Sequence, residues 1–296
     1  MIMDAKLSPG AGVLILLGVA CLFASNHLCA RIAFDHGASV VAAVSVRATF
    51  TSFVLLAVMR VQGIRLAIPR ELRGKTLLAG LLIASQSYCL YSAVALIPPA
   101  LALLVFQTSP MLYVLVTWAL GRERPRWSAL GPMALALVGL ALALNLRPGH
   151  IDTDFAALRA GVAWAFASGA SMTVVYYLNA NALKPLDSRL RTFAMTAVTA
   201  LVVIIGGVSA GAHALPHGAA GWAGITLLAG FYCVAMTSLF FVLPRLPATT
   251  AAALNFEPIA LLVLSWLALD ITVAPLQIVG ALLTVSAIAW LGLAKA

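Results

Sequence analysis

The chain has 296 residues, 63% of them hydrophobic and only 9% charged, with a mean hydropathy of +1.05. A soluble domain carries roughly 25% charged residues to face water, so most of this chain's outer surface faces hydrocarbon and no sizeable soluble domain fits. The net charge of +9 sits in short links between apolar runs, without the aromatic-interleaved stripe that a nucleic-acid surface needs; the expected partner is the lipid bilayer and not nucleic acid.

A span needs about 20 apolar residues to cross a roughly 30 Å core. It must be helical, because lipid offers nothing to an unpaired backbone group. The apolar runs predict an all-α polytopic membrane protein with ten spans, over 10–32, 39–60, 75–97, 99–120, 127–145, 158–180, 189–210, 219–243, 247–269 and 274–293. Met1 to Lys6 is weakly basic and precedes an apolar run, as in a secretory signal. The run is too long for a signal core, and its centre is repeated mid-chain, so it reads as the first membrane helix. Around Arg147 to Phe155 the longest link, with Pro148-Gly149, Asp152 and Asp154, reads as a solvated turn. Cys21, Cys29, Cys89 and Cys233 fall inside spans, lack metal-ligand spacing and read as small buried hydrophobes. No metal or other cofactor is expected.

Fourteen of the 18 Lys and Arg residues lie at the termini or in links after even-numbered spans. The opposite side holds Arg31, Arg147 and Arg159, and Arg47 lies inside the second span. Basic residues accumulate on the cytoplasmic side of membrane proteins, so both termini are expected there.

The stretch Gly18-Val19-Ala20-Cys21-Leu22-Phe23-Ala24-Ser25 returns as Gly161-Val162-Ala163-Trp164-Ala165-Phe166-Ala167-Ser168, with six of eight residues the same. Arg47 and Phe50 are echoed by Arg191 and Phe193, Gly80 and Tyr88-Cys89 by Gly224 and Tyr232-Cys233, Pro110 and Trp118 by Pro258 and Trp266. A collinear series of this kind reads as two fused copies, 10–145 and 158–293. Five helices per copy is an odd number, so the second copy must enter the membrane from the other face. Inverted repeats are an architecture of secondary transporters, with the substrate site near the bilayer midplane between the copies.

On these residues the chain resembles the drug/metabolite transporter superfamily and its EamA-type ten-helix exporters. The resemblance rests on Arg47 and Arg191 early in the second helix of each copy, Pro110 and Pro258 midway along the fourth, and Gly121-Arg122-Glu123 at its end. The second copy departs from the pattern, with Leu269-Asp270 in place of Gly-Glu. The resemblance implies export of a small organic solute, closest to amino acids and among them aromatic ones, across a bacterial inner membrane. Multidrug or lipophilic-cation efflux and a solute channel are the alternatives. A fused repeat suits a working monomer.

Polar groups inside apolar spans mark the candidate site, because each is costly unless it faces protein or water. At 1.5 Å per residue, Gln86 and Tyr88, Gln107 and Ser109, Tyr232 and Glu257 fall mid-span, with Asn26 and His27 slightly beyond the centre. The copies differ where symmetry would demand likeness: Asn26-His27 aligns with Gly169-Ala170, Gln86 with Gly230, and Ser109 with Glu257, while Gln107 and Asn255 are polar in both. Asn26, His27, Gln86, Tyr88, Gln107, Trp164 and Tyr232 are therefore the expected substrate-binding residues; interhelical hydrogen bonding is the competing reading. Glu257 is the one acid deep in a span, where desolvation penalises the charged form. It is the candidate for proton coupling or for orienting a substrate amine, unless it simply pairs with Arg47. Arg47 could reach the outer surface, pair with Glu257 or hold a substrate carboxylate. Pro110 and Pro258 each remove a backbone donor and clash with the preceding turn, so both are expected to kink their helices and serve as hinges. Tyr176 and Tyr177 read as interfacial anchors, as do Trp127 and Trp290.

No enzyme signature survives. Gly207-Val208-Ser209-Ala210-Gly211 has the nucleophile-elbow spacing but ends an apolar helix rather than a strand, and His213 and His217 lack further metal ligands.

Overall fold

The computed structural model describes residues 9–121, 127–143, 155–242, 254, 256–269 and 274–293. The readings made at Glu123, Asn255 and Asp270, at the turn around Asp152 and Asp154, and for the Trp127 side chain fall outside the described positions. Eleven α-helices follow in order: α1 (Pro9–Asp35), α2 (Val40–Val61), α3 (Arg70–Leu96), α4 (Pro99–Phe106), α5 (Ser109–Ala119), α6 (Trp127–Ala143), α7 (Phe155–Tyr177), α8 (Ser188–Ser209), α9 (Gly218–Val242), α10 (Glu257–Leu269) and α11 (Pro275–Leu293). There is no strand among the described residues. Seven segments are long and apolar enough to cross a membrane, and three shorter apolar helices lie at Gly131–Ala143, Glu257–Ala268 and Pro275–Ala287. The protein is an integral membrane protein.

Local sequence explains most ends. Ser39 caps α2 by accepting from the Ala42 amide at 3.1 Å, and Asp187 caps α8 by accepting from the Arg189 amide at 2.8 Å. The hydrogen bond from the Arg189 side chain holds the Asp187 carboxyl below the usual carboxylate range. α7 continues through a π turn at Leu178–Ala182, so the sixth predicted span runs two residues further than expected.

One prediction needs correction. The expected fourth span, 99–120, is not a kinked helix but two helices, α4 and α5, interrupted at Gln107 and Thr108. Pro110 is the second residue of α5, where a missing N–H is harmless because the first amides of a helix have no intrahelical partner. Pro258 likewise sits second in α10, behind 3-10 geometry at Leu254 and Phe256. Both prolines open helices rather than bend them.

The helices pack in antiparallel pairs. α1 lies along α9, α3 along α7, α2 along α8 and α6 along α11; α3 also meets α8 and α2 meets α9. Small residues set the closest approaches. A Cβ on Gly80 would stand 2.5 Å from the Val198 side chain, and one on Gly224 would stand 2.9 Å from the Ala33 amide. Gly139 and Gly280 face each other across the α6–α11 crossing, where a Cβ on Gly280 would meet the Gly139 carbonyl at 2.5 Å and the Ala143 amide closer still. Without a hydrophobic drive between helices in lipid, such backbone approach is what holds a pair together.

Two sets of links close the bundle at its ends. At the face where α1 ends, the His217 amide donates to the His36 carbonyl at 2.7 Å, the Ser39 amide donates to the Ala214 carbonyl at 2.9 Å, and His213 lies 3.1 Å from the Ser45 hydroxyl. At the other face, which carries Arg60, Arg65, Arg70, Arg73, Lys184 and Arg189, Leu55, Met59, Leu186 and Leu190 are buried with Ile64 and Ile68 packed on them.

Gly280→Leu is expected to separate α11 from α6 and destabilise the bundle by about 1–3 kcal/mol, the usual overpacking range. Thermal unfolding in detergent checks it. Gly131→Ala in the same helix pair, where a Cβ meets nothing within 4 Å, should leave the transition unmoved or slightly raised.

Candidate functional site

A cavity of about 310 Å³ opens between the helices at mid-span, lined among others by Phe23, His27, Arg47, Gln86, Phe106, Gln107, Met172, Tyr176, Tyr232, Met236, Leu239, Leu254 and Glu257. The break between α4 and α5 reaches it through Phe106 and Gln107, and the start of α10 through Leu254 and Glu257. From there it extends toward the basic face, past Met172 and Tyr176 in the last turns of α7 and Met236 and Leu239 in those of α9.

Arg47 is the centre of the wall. The residue is 5% exposed, and its guanidinium is stacked over two phenol rings, 4.6 Å from the Tyr91 centroid and 4.0 Å from that of Tyr232. It donates to the Tyr91 hydroxyl at 3.0 Å and to the Ser87 hydroxyl at 2.8 Å. No carboxylate lies within ion-pair distance of it among the described residues, and its Nε is buried without a hydrogen-bond partner. Arg47 therefore neither reaches the surface nor pairs with Glu257. Ring quadrupoles and neutral oxygens carry the charge, which cation–π contacts do best when water is excluded.

A polar chain extends from it. Tyr91 shares a 2.8 Å hydrogen bond with Asn26, whose amide nitrogen also reaches the Leu228 carbonyl at 3.1 Å when the carboxamide is turned to donate. On the other side Ser87 donates to the Gln86 Oε1 at 3.3 Å, and Gln86 and Ser168 exchange bonds of 3.3 and 3.0 Å. The network thus ties α1, α2, α3 and α7 together around one cation.

Glu257, the first residue of α10, pairs with His27: Nε2 of the imidazole stands 3.3 Å from Oε1. The helix N-terminus favours a carboxylate there. His27 is 4% exposed, and its Nδ1 is buried with no partner among the described residues. Its ring leans on Tyr91 with centroids 5.4 Å apart.

The structure brings Asn26, His27, Gln86, Gln107, Tyr232, Arg47 and Glu257 together at one depth, Asn26 as a support behind the wall. Two expected residues stand elsewhere. Tyr88 and Trp164, 40% and 38% exposed, pack edge to face at 5.9 Å on the outer side of the α3–α7 pair and do not line the cavity. Successive helical positions point about 100° apart, so Tyr88 cannot share the inward face of Gln86 and Leu90. Tyr176 moves the other way: instead of anchoring at the interface it lines the cavity, edge-on to Tyr113. Met172 and Met236 were missed because an apolar residue in an apolar span carries no mark.

Residues 10–145 match the model of the EamA-like transporter family. One solved crystal structure superposes on 96% of this chain and 98% of its own, with a TM-score of 0.63 at 20% identity; at that identity the likeness is one of fold. No curated protein matches.

Tyr91→Phe removes the hydroxyl shared by Arg47 and Asn26 and leaves both buried groups short of a partner. A loss of about 1–3 kcal/mol is expected, read as a lower unfolding temperature in detergent. Tyr88→Phe, at the exposed position, should show none.

Proposed function

We propose that this integral membrane protein, whose residues 10–145 match the EamA-like transporter family, is a member of that family and a secondary carrier that exports amino acids by alternating access. The observation that carries the reading is the buried, uncompensated guanidinium of Arg47 on the cavity wall. An isolated cation inside a membrane protein is costly; a substrate carboxylate in the cavity is the group that would neutralise it. The half-helices α5 and α10 both begin at the cavity, and the positive ends of their dipoles favour the same negative group. On the same wall Glu257 offers a partner to an ammonium. A site with one cation and one carboxylate suits a zwitterion.

The size agrees. About 310 Å³ is at the lower end of ligand cavities and holds one amino acid rather than a bulky drug. Phe23, Phe106, Tyr176 and Tyr232 would accept a flat apolar side chain, which favours aromatic amino acids. Lipophilic cations are disfavoured by Arg47. A channel is disfavoured by the backbone hydrogen bonds that close the face where α1 ends.

Alternating access rests on the duplication. Under an exchange of the two copies, the α1–α9 pair maps onto α7–α3 and the α3–α8 contact onto α9–α2, while the α2–α8 and α6–α11 pairs map onto themselves. The starts of α5 at Ser109 and of α10 at Glu257 fall at aligned positions. These correspondences support ten spans in two inverted repeats, 10–145 and 158–293, able to exchange conformations. Pro110 and Pro258, each just behind an interruption, are the hinge positions in this reading. The basic face is the cytoplasmic one, with both termini there, in a bacterial inner membrane. One chain encloses the cavity, so the monomer is the working unit.

Counterflow in proteoliposomes tests the reading. Unlabelled L-phenylalanine inside should drive uphill uptake of the labelled compound, with L-leucine competing and lipophilic cations failing to. Arg47→Gln should lower that uptake by at least ~10-fold, the value of about 1.4 kcal/mol. An Arg47→Gln protein with wild-type uptake would remove the carboxylate assignment.

A further inference from the structure

We propose that Arg31, gripped by Asp35, is a latch that holds the cavity closed at the face where α1 ends, so that the empty carrier rests open to the basic face. The inference rests on the carrier reading and names a contact that must break in each cycle.

The latch starts from two prolines. In a continuous helix the Val94 and Ala95 carbonyls would accept from the amides of residues 98 and 99, but Pro98 and Pro99 have no N–H. α3 therefore ends with two carbonyls in need of a donor, at the negative end of its dipole. Arg31 supplies it from α1: its Nη1 stands 3.3 Å from the Val94 oxygen and 3.5 Å from that of Ala95. Asp35, one turn further along α1, accepts from the Arg31 Nε at 3.0 and 3.1 Å and fixes the fork. Beside the contact Phe34 packs edge-on against Tyr91 with centroids 5.9 Å apart, and Val94 and Ile97 are fully buried.

The second copy has no such clasp. In the register that sets Gly18 on Gly161 and Gly80 on Gly224, Arg31 falls on Val174, Asp35 on Leu178 and Val94 on Ser238. Neither charge recurs. α1 packs on α3, whereas their counterparts α7 and α9 are not packed on each other in this way. Val174 is 40% exposed, and the cavity runs out toward the basic face past Met172 and Tyr176 on α7 and Met236 and Leu239 on α9. An exchange of conformations between the copies parts α1 from α3 as it brings α7 onto α9. The clasped face is the one that has to open.

The contact can break without stranding a charge. The Arg31 and Asp35 side chains keep 27% and 47% of their surface exposed, so water can replace the two carbonyls, and the ion pair travels intact because both members sit on α1. The bonds to α3 are longer than the usual 2.7–3.2 Å range, which keeps the latch weak enough to release. A clasp on one face alone biases the two states. It favours the one open to the basic face, the side from which an exporter loads.

The test follows both faces at once. V94C puts a thiol behind the latch, and S238C puts one at the matching position of the second copy. Alkylation of each by N-ethylmaleimide is timed in purified full-length protein in detergent, with the unsubstituted protein and its four native cysteines as background. R31A should speed alkylation of V94C by ~10-fold, the population shift expected when hydrogen bonds to a charged group are lost, and should slow that of S238C. Loosening of a merely structural cap would expose V94C without protecting S238C; that outcome overturns the inference, as does an unchanged V94C rate. If R31A does not fold, D35N, which frees the fork but keeps the cation, should move both rates in the same directions by less. L-phenylalanine counterflow by the unsubstituted protein separates the two readings. Counterflow with unchanged alkylation in R31A overturns the latch and leaves the carrier standing. Absence of counterflow overturns the carrier reading, and the latch's part in transport with it.

Discussion

A guanidinium held between two tyrosine rings in the middle of a membrane is the constraint around which this molecule is arranged. Arg47 is 5% exposed and has no acid to neutralise it among the described residues. Tyr91 and Tyr232 must present their faces to it, and Ser87 and the Tyr91 hydroxyl must accept its protons. Those demands fix the approach of α2, α3 and α9, and Asn26 extends the demand to α1. The network is polar, buried and largely satisfied, which makes it rigid. The remaining need, at Nε, is met by none of the described residues.

The second constraint is the interruption of the helices. Backbone groups freed in a membrane must find a partner or line a cavity. At the first break the Thr108 hydroxyl bonds the Val105 carbonyl at 2.8 Å, and Thr173 on α7 donates to the Ser109 carbonyl at 3.0 Å. Proline next to each break ensures that the continuous helix is not a competitor. α5 and α10 thereby start beside the cavity, and their free amide ends add to the positive potential that Arg47 creates. Opposed to them stands Glu257, held by His27. Cation and carboxylate face one volume, and the function proposed for the protein follows from that opposition rather than from any single residue.

Much of this was legible from residues alone. Polar side chains in apolar spans are expensive, so Gln86, Gln107, His27, Arg47 and Glu257 announced themselves, and counting along each span gave their common depth. Facing was harder. Tyr88 and Trp164 have the right depth and the wrong direction, and Tyr176 has the right direction at a depth that suggested an anchor. Depth follows from counting residues along a helix, whereas direction depends on the rotation of each helix about its axis, which its neighbours set. The prolines were read correctly as breaks in regularity, but a kink and a fresh start share one local signature.

Composition suffices for a helical membrane protein, because hydrocarbon requires every backbone group to be satisfied internally and these long apolar runs lack the alternation of a closed barrel. The partner of each buried charge was decided in three dimensions. Glu257 and Arg47 looked like natural mates in sequence, being the lone acid and the lone deep cation. Packing instead gave the acid to His27 and the cation to two tyrosines. Pairing depends on which side chains the crossing helices bring within a few ångströms, and that is set by the close approaches at glycines such as Gly80 and Gly224, far from the charges themselves.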